Sequence, residues 1–236
     1  MKKRKLKFPF KIISIIILSL TAVFLLVFFS HRYLTTSDYF EVKDSVYFSG
    51  RNIFKIKLRQ EAQKMSRIYP DYKKIVLRRV LPDRVVIDFE PRQAVALLRL
   101  SDDFYVDREG VLFRLSRQRQ SNSQLPLIVG LGARIPNPRS GAKYNEEPLQ
   151  AILEFINCLK EDRVLSEYIK IQQADLTNIN DIILFTSVGC KINLGAIGSL
   201  DKDLSILRRL ISDIKPDLTT VEYIDLRFRE PVVKYK

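Results

Sequence analysis

The sequence predicts an α+β protein: a single N-terminal transmembrane helix, a small α/β module, and a β-rich domain with two packed helices. Three observations predict it. Ile12 to Phe29 (IISIIILSLTAVFLLVFF) runs eighteen residues without a charge. Three later segments carry apolar residues at helical spacing. Short β-branched and aromatic runs, separated by glycine and proline turn signals, fill the rest.

The uncharged run spans about 27 Å as a helix, close to the thickness of a hydrocarbon core. Lys2, Lys3, Arg4, Lys5, Lys7 and Lys11 precede it, and His31 and Arg32 follow. The positive-inside rule then keeps residues 1–11 in the cytoplasm, places the anchor at 12–33 and exports the remainder. A cleaved signal peptide would have a shorter apolar region and an A-x-A-like site, which SHRYLTTSDYF does not offer.

Composition narrows the chemistry. The 236 residues carry a formal charge of +13, but with the first eleven set aside only +7 remains. The densest basic cluster is thus a topogenic signal that also suits anionic headgroups, not a nucleic-acid site. The chain has one histidine and two cysteines, Cys158 and Cys190. Alone it cannot build a zinc site of four cysteines, of two cysteines and two histidines, or of three histidines. A histidine-dependent nucleophile would have only His31, beside the anchor. The two cysteines are equally compatible with a disulfide and with two buried thiols.

Phe40 to Phe48 reads as a strand, with Gly50 turning the chain. Leu58, Ala62, Met65 and Tyr69 mark one face of a helix that Pro70 ends. Lys74 to Leu81 is a strand, Pro82-Asp83 a turn. Val85, Ile87 and Phe89 then alternate with Val86, Asp88 and Glu90 in a half-buried strand. This closes the first module at residue 92.

The second domain, 93–236, opens with the strand Ala94 to Leu100. Phe104–Val106 and Val111–Phe113 flank Asp107-Arg108-Glu109-Gly110, a hairpin whose glycine suits a left-handed position. Arg114 to Gln124 is a loop, Leu125 to Val129 a strand, and Pro136 to Tyr144 another loop. Asn145 is the expected N-cap of a helix with the stripe Leu149, Ile152, Leu153, Ile156 and Leu159. Strands follow at Ile169–Leu176, Ile182–Thr186 and Lys191–Leu194. Ser199 is the expected cap of a second helix, with core face Leu200, Leu204, Leu207, Ile211 and Ile214, stopped by Lys215-Pro216. Val221 to Phe228 and Val232 to Tyr235 are the last strands. Gly195-x-x-Gly198 is too incomplete for a nucleotide fingerprint. Arg78, Arg79, Arg84 and Arg92 cluster around two strands; contact with phosphate headgroups or anionic wall polymers is weighed against a solvated face, and the solvated face is preferred.

Several strings in this order resemble the FtsQ/DivIB family of bacterial cell-division proteins. GRNIFKIKLRQ and YPDYKKIVLRRVLPDRVVIDFEPRQAVA resemble the second half of its POTRA domain. FYVDREGVLF, LPLIVG, CKINLG, LDKDLSILRRLISDI and YIDLRFREPVVKY resemble its β domain. The resemblance implies a short cytoplasmic tail, one anchor, a POTRA-like domain at 34–92 and a β domain at 93–236. One departure concerns the front of the POTRA domain, where about ten residues lie between Val42 and Asn52 and the usual first helix is reduced or missing.

The same resemblance implies a non-enzymatic assembly protein of the divisome. It would sit in the bacterial inner membrane at the division site, N-terminus in the cytoplasm and bulk in the periplasm. Its partners would be FtsB- and FtsL-like single-pass proteins, linking it to septal cell-wall synthesis. The family takes up an FtsB strand on its last sheet edge, by β-augmentation. The matching positions are Tyr223, Arg227, Phe228, Val233 and Tyr235, with Arg227 facing acidic partner groups and Phe228 and Tyr235 as aromatic anchors. No cofactor, metal, nucleic acid or small-molecule substrate is expected. Two other classes are weighed beside it. A POTRA-type chaperone for exported polypeptides predicts repeated POTRA units or a barrel. A glycan-acting enzyme would need two carboxyls across a cleft. Its candidates, Asp102, Asp103, Asp107, Glu109, Glu146 and Glu147, sit in turns or at a helix start.

Overall fold

The uncharged run is helical. In the computed structural model, helix α1 covers Phe10–Phe29. The structure describes residues 10–29, 35–36, 51–81, 84–115, 125–214 and 217–236. In α1 the side chains are described over 14–25, where all are exposed. Among the described residues no helix is long and apolar enough to cross a membrane. The expected strand Phe40–Phe48, the Pro82-Asp83 turn, the centre of the 114–124 loop and the Lys215-Pro216 stop lie outside the described residues.

Two compact units follow from the chain's contacts, Met1–Glu90 and Pro91–Lys236. In the first, a three-stranded sheet has the order β1-β3-β2. Its strands are β1 (Thr35–Thr36), β2 (Tyr72–Val80) and β3 (Arg84–Pro91). β1 runs parallel to β3, with Thr35 opposite Val86. Helix α2 (Leu58–Ile68) lays the predicted stripe Leu58, Ala62, Met65 and Tyr69 on a core of Ile53, Ile56, Tyr72, Ile75, Leu77, Val85 and Ile87. The alternation in β3 is as the sequence predicts, with Val85 and Ile87 buried.

The second unit is built on one nine-stranded sheet. Its strands are β4 (Ala96–Arg99), β5 (Asp103–Val106), β6 (Leu112–Phe113), β7 (Leu127–Val129), β8 (Ile171–Asp175), β9 (Ile183–Thr186), β10 (Lys191–Asn193), β11 (Val221–Asp225) and β12 (Val232–Tyr235). They are ordered β12-β11-β10-β9-β8-β7-β4-β5-β6. The pairs β4–β7, β7–β8 and β10–β11 are parallel and the others antiparallel. One row of directly opposed residues crosses eight strands: Phe104, Leu98, Ile128, Ala174, Leu184, Ile192, Ile224 and Val233. All are buried except Val233, which is half-buried against the same core. The next row, on the opposite face, is Tyr105, Leu97, Leu127, Gln173, Phe185, Lys191, Tyr223 and Lys234. None of these eight is fully buried.

Helices cover the apolar row. α3 (Glu147–Glu161) buries all five predicted residues of its stripe, and α5 (Leu200–Ile214) buries Leu200, Leu207, Leu210 and Ile211. A third helix, α4 (Arg163–Tyr168), packs against both, so the expected pair of helices is corrected to three. Six residues are too few to show a period. Its start is fixed by Asp162, whose carboxylate accepts the Val164 and Leu165 N–H groups.

Two expected caps are also corrected. α3 begins after Glu146, not Asn145, and no side chain caps it; Pro148 lies in its first turn and has no N–H to satisfy. Ser199 ends a short 3-10 turn before α5, and its hydroxyl donates to Ala196 O and to the buried Asp203 carboxylate. Asp203 also accepts the Gly195 N–H and so fixes the entry to α5.

Candidate functional site: an open sheet edge

β12 ends the order of the nine-stranded sheet, and among the described residues no strand lies beyond it. It pairs antiparallel with β11: Val221 opposite Tyr235, Tyr223 opposite Lys234, Ile224 opposite Val233, Asp225 opposite Val232. A bulge falls between Val221 and Tyr223. The backbone bonds at either end set the alternation. Lys236 N–H donates to Thr220 O, and Leu226 N–H donates to Asn193 O on β10. Val232 and Lys234 therefore turn their backbone groups toward β11. Val233 and Tyr235 turn theirs to the open edge.

The side chains alternate on the other axis. Val233 and Tyr235 share the helix-covered face of β12, Val232 and Lys234 the opposite one. Val233 is half-buried, while Tyr235 (54%) and Val232 (44%) stand exposed. Lys234 Nζ lies 2.8 Å from Glu222 Oε2 and 5.7 Å from the Tyr223 ring centroid. The Glu222 carboxylate raises the Lys234 pKa.

The expected strand Val221–Phe228 is corrected to Val221–Asp225. The cause is Asp225, which is nearly buried. Its Oδ1 accepts the Arg227 backbone N–H and, at 2.9 Å, Arg227 Nε; its Oδ2 takes Nη2 at 2.5 Å. That local bond turns the chain. Arg227 Nη1 also reaches Asp181 at 3.2 Å. Hydrogen bonding to Arg227 holds the Asp225 carboxyl below its usual range, and the Arg227 pKa rises in return. Arg227 is thus engaged within its own chain. Phe228 follows it in the β11–β12 loop, 57% exposed.

Of the five sequence-selected residues, Tyr223, Val233 and Tyr235 come together on the edge pair. Phe228 lies in the adjoining loop, and Arg227 is turned toward Asp225 and Asp181. Sequence reasoning missed Val232, the other exposed apolar residue of β12. Its signal was the alternation in Val232-Val233-Lys234-Tyr235.

Three of the six carboxylates of the enzyme alternative form ion pairs. Asp102 pairs with Arg114, Asp103 with Arg99 and Asp107 with Arg92. A cavity of about 530 Å³ lies among Ile156, Leu159, Lys160, Ser166, Lys170 and Ser187, and among the described residues no carboxylate lines it. Its Lys160 donates to Val95 O, and burial lowers the Lys160 pKa. Among the described residues no group of three or more His, Cys, Asp or Glu side chains is placed to hold a metal ion.

Known proteins share this architecture's sequence. The family model described as "Cell division protein FtsQ/DivIB, C-terminal" matches residues 95–227. Three proteins named "Cell division protein FtsQ" align with most of the chain. The one from Geotalea daltonii is 26% identical over 193 residues, 79% of this chain and 66% of that protein. That from Geobacter sp. (strain M21) is 25% identical over 188 residues, 79% and 66% respectively. That from Syntrophotalea carbinolica is 22% identical over 187 residues, 78% and 64%. The match thus spans just under two thirds of each relative's own length. The family match takes in the whole sheet from β4 to β11 and the three helices packed on it, more than half of the chain, so this protein belongs to the FtsQ/DivIB family of cell division proteins.

Proposed function

We propose that this cell division protein is a non-enzymatic scaffold of the divisome that receives a strand from a single-pass partner on the open edge of β12. The observation that carries the reading is the edge itself. Val233 and Tyr235 present backbone donors and acceptors outward, and Tyr235, Val232 and Phe228 stand exposed around them. An added strand would gain main-chain hydrogen bonds and apolar contacts together. Such an edge unoccupied is an aggregation hazard. Lys234 and Pro231 blunt it only in part. FtsB- and FtsL-like proteins are the proposed partners.

The proposed topology keeps residues 1–11 in the cytoplasm, 12–33 in the inner membrane, a POTRA-like domain at 34–92 and the β domain at 93–236 outside. Its supports are the uncharged run, the charge asymmetry about it, and α1. Ser19 and Thr21 on that helix donate their hydroxyls to Ile16, Ile17 and Leu18 carbonyls, which lowers the cost of placing them in lipid.

The test is binding of the full chain, in detergent or lipid discs, to the exported segment of an FtsB-like partner. Tyr235→Ala or Phe228→Ala should weaken binding by about 2 kcal/mol if they are anchors. Val233→Pro removes an outward N–H and should do worse. Circular dichroism checks folding. Unchanged affinity across all three variants sinks the edge mechanism and leaves the family membership standing.

A further inference from the structure

We infer that the turn carrying Phe54 docks on the surface of an anionic bilayer. The turn is rigid. Ile53 and Ile56 are buried on either side of it, at 1% and 6% exposure. Arg79, next to the last residue of β2, donates from Nε to Ile53 O at 2.9 Å and from Nη2 to Ile56 O at 2.6 Å. Asn52 Oδ1 accepts the Phe54 N–H, and the Lys55 N–H donates to Asn52 O. This frame holds Phe54 outward, 57% exposed, between the exposed cations Arg51, Lys55 and Lys57. An aromatic ring at the headgroup level flanked by basic residues is the chemistry of an interfacial anchor.

Position in the sheet says what the turn faces. β2 and β3 are neighbours joined by residues 81–83, so the end of β2 and the start of β3 lie at one end of the sheet. Arg79 fixes the Phe54 turn at that end. Thr35 enters the sheet there too, opposite Val86. Only residues 30–34 separate Thr35 from the last residue of α1, Phe29. Six peptide steps reach about 21 Å at most. The end of the sheet that carries Phe54 is therefore tied close to the end of the apolar helix.

Exposure follows the same polarity. Among the described residues of this unit after α1, the large exposed apolar side chains are Phe54, Ile68, Val80 and Leu81. Val80 and Leu81 lie at the Phe54 end; Ile68 lies at the other, where α2 hands over to β2. Charge complementarity picks the lipid. Residues 34–90 hold twelve Lys and Arg against eight Asp and Glu. Each cation near an anionic surface adds attraction that salt screens.

The inference rests on α1 crossing the bilayer, as proposed above, and the experiment separates the two. The chain contains no tryptophan, so Phe54→Trp creates a single indole, which excitation at the red edge reads apart from the tyrosines. The full-length variant is reconstituted into lipid discs of phosphatidylcholine alone or with phosphatidylglycerol, each with and without a doxyl-labelled lipid. Co-elution with the discs reads insertion, and indole emission reads docking. The expected result is a blue-shifted emission, quenched about twofold more in the anionic discs. That difference should vanish with Lys55→Glu/Lys57→Glu or in about 1 M salt. A chain that inserts while its indole stays solvent-like, or is quenched equally in both lipids, overturns the docking and leaves the anchor intact. A chain that does not insert overturns the anchor, and the docking falls with it.

Discussion

Arg92 and Asp107 form a sequestered ion pair, Nη1 to Oδ2 at 2.6 Å, with side-chain exposures of 14% and 8%. The second carboxylate oxygen of Asp107 accepts the Glu109 and Val111 N–H groups. One side chain thus closes the β5–β6 hairpin and ties it to the segment that enters the second unit.

Loss of that carboxylate should cost more than loss of the cation. Asp107→Ala is expected to lower stability by about 3 kcal/mol, since it deprives a nearly buried guanidinium and two backbone donors of their acceptor. Arg92→Met, which keeps bulk and leaves the turn bonds in place, should cost less. Urea unfolding followed by circular dichroism ranks the two. An equal cost would show that the hairpin bonds contribute nothing beyond the ion pair.

Acid should release the β11–β12 loop. The Asp225 pKa is depressed by its bonds to Arg227, so this group adds stability above the unfolded-state value, near 3.9. The contribution fades as pH falls from about 4 through the lower folded-state value. Asp225→Asn should lower stability at neutral pH and flatten the profile in that acidic window. A variant whose stability parallels the wild type from pH 6 to pH 2 contradicts this.

Gly130 admits no side chain. Its φ is +95°, and a Cβ there would lie 2.2 Å from the Thr177 backbone nitrogen. Gly130→Ala should destabilise the chain by at least about 2 kcal/mol, with the largest gain in amide exchange around Leu176.

The thiols should behave as two separate groups. Cys158 and Cys190 are free, and burial pushes the Cys190 thiol up. Cys190 should resist an aromatic disulfide reagent until the protein unfolds, while half-buried Cys158 reacts first. Mobility on a gel should be the same with and without reductant.

What the sequence disclosed, and what it withheld, follows the range of the interactions. The α2, α3 and α5 stripes and the 85–89 alternation were readable because burial imposes its period directly on neighbouring residues. The Gly110 turn was readable because few residues tolerate its φ of 78°. α4 was not, because a single turn and a half leaves no period. The end of β11 was not, because it depends on Asp225 bonding its own neighbour Arg227. That arginine looked available to a partner, and its second contact, Asp181, lies 46 residues away. The strand order was also out of reach. The parallel pair β7–β8 joins segments separated by α3 and α4, and β10–β11 joins segments separated by α5, and nothing local encodes them. Alternation marked Val232 to Tyr235 as a strand but not as an edge; the edge was expected only through the resemblance, and the structure places β12 at the end of the strand order.

The apolar row that crosses eight strands stops at Val233, and that stop imposes a parity rule on whatever joins it. A strand laid on β12 has no freedom to choose which residues face the helices, because Val233 fixes the phase. Every second residue of the newcomer would meet the apolar face beside Val233 and Tyr235, and those between would meet Lys234 and Val232. Shifting the newcomer by one residue exchanges the two sets, while shifting it by two preserves them. Recognition at this edge would therefore read odd against even before it reads any single side chain, and a partner altered by a one-residue insertion should fail where a two-residue insertion is tolerated.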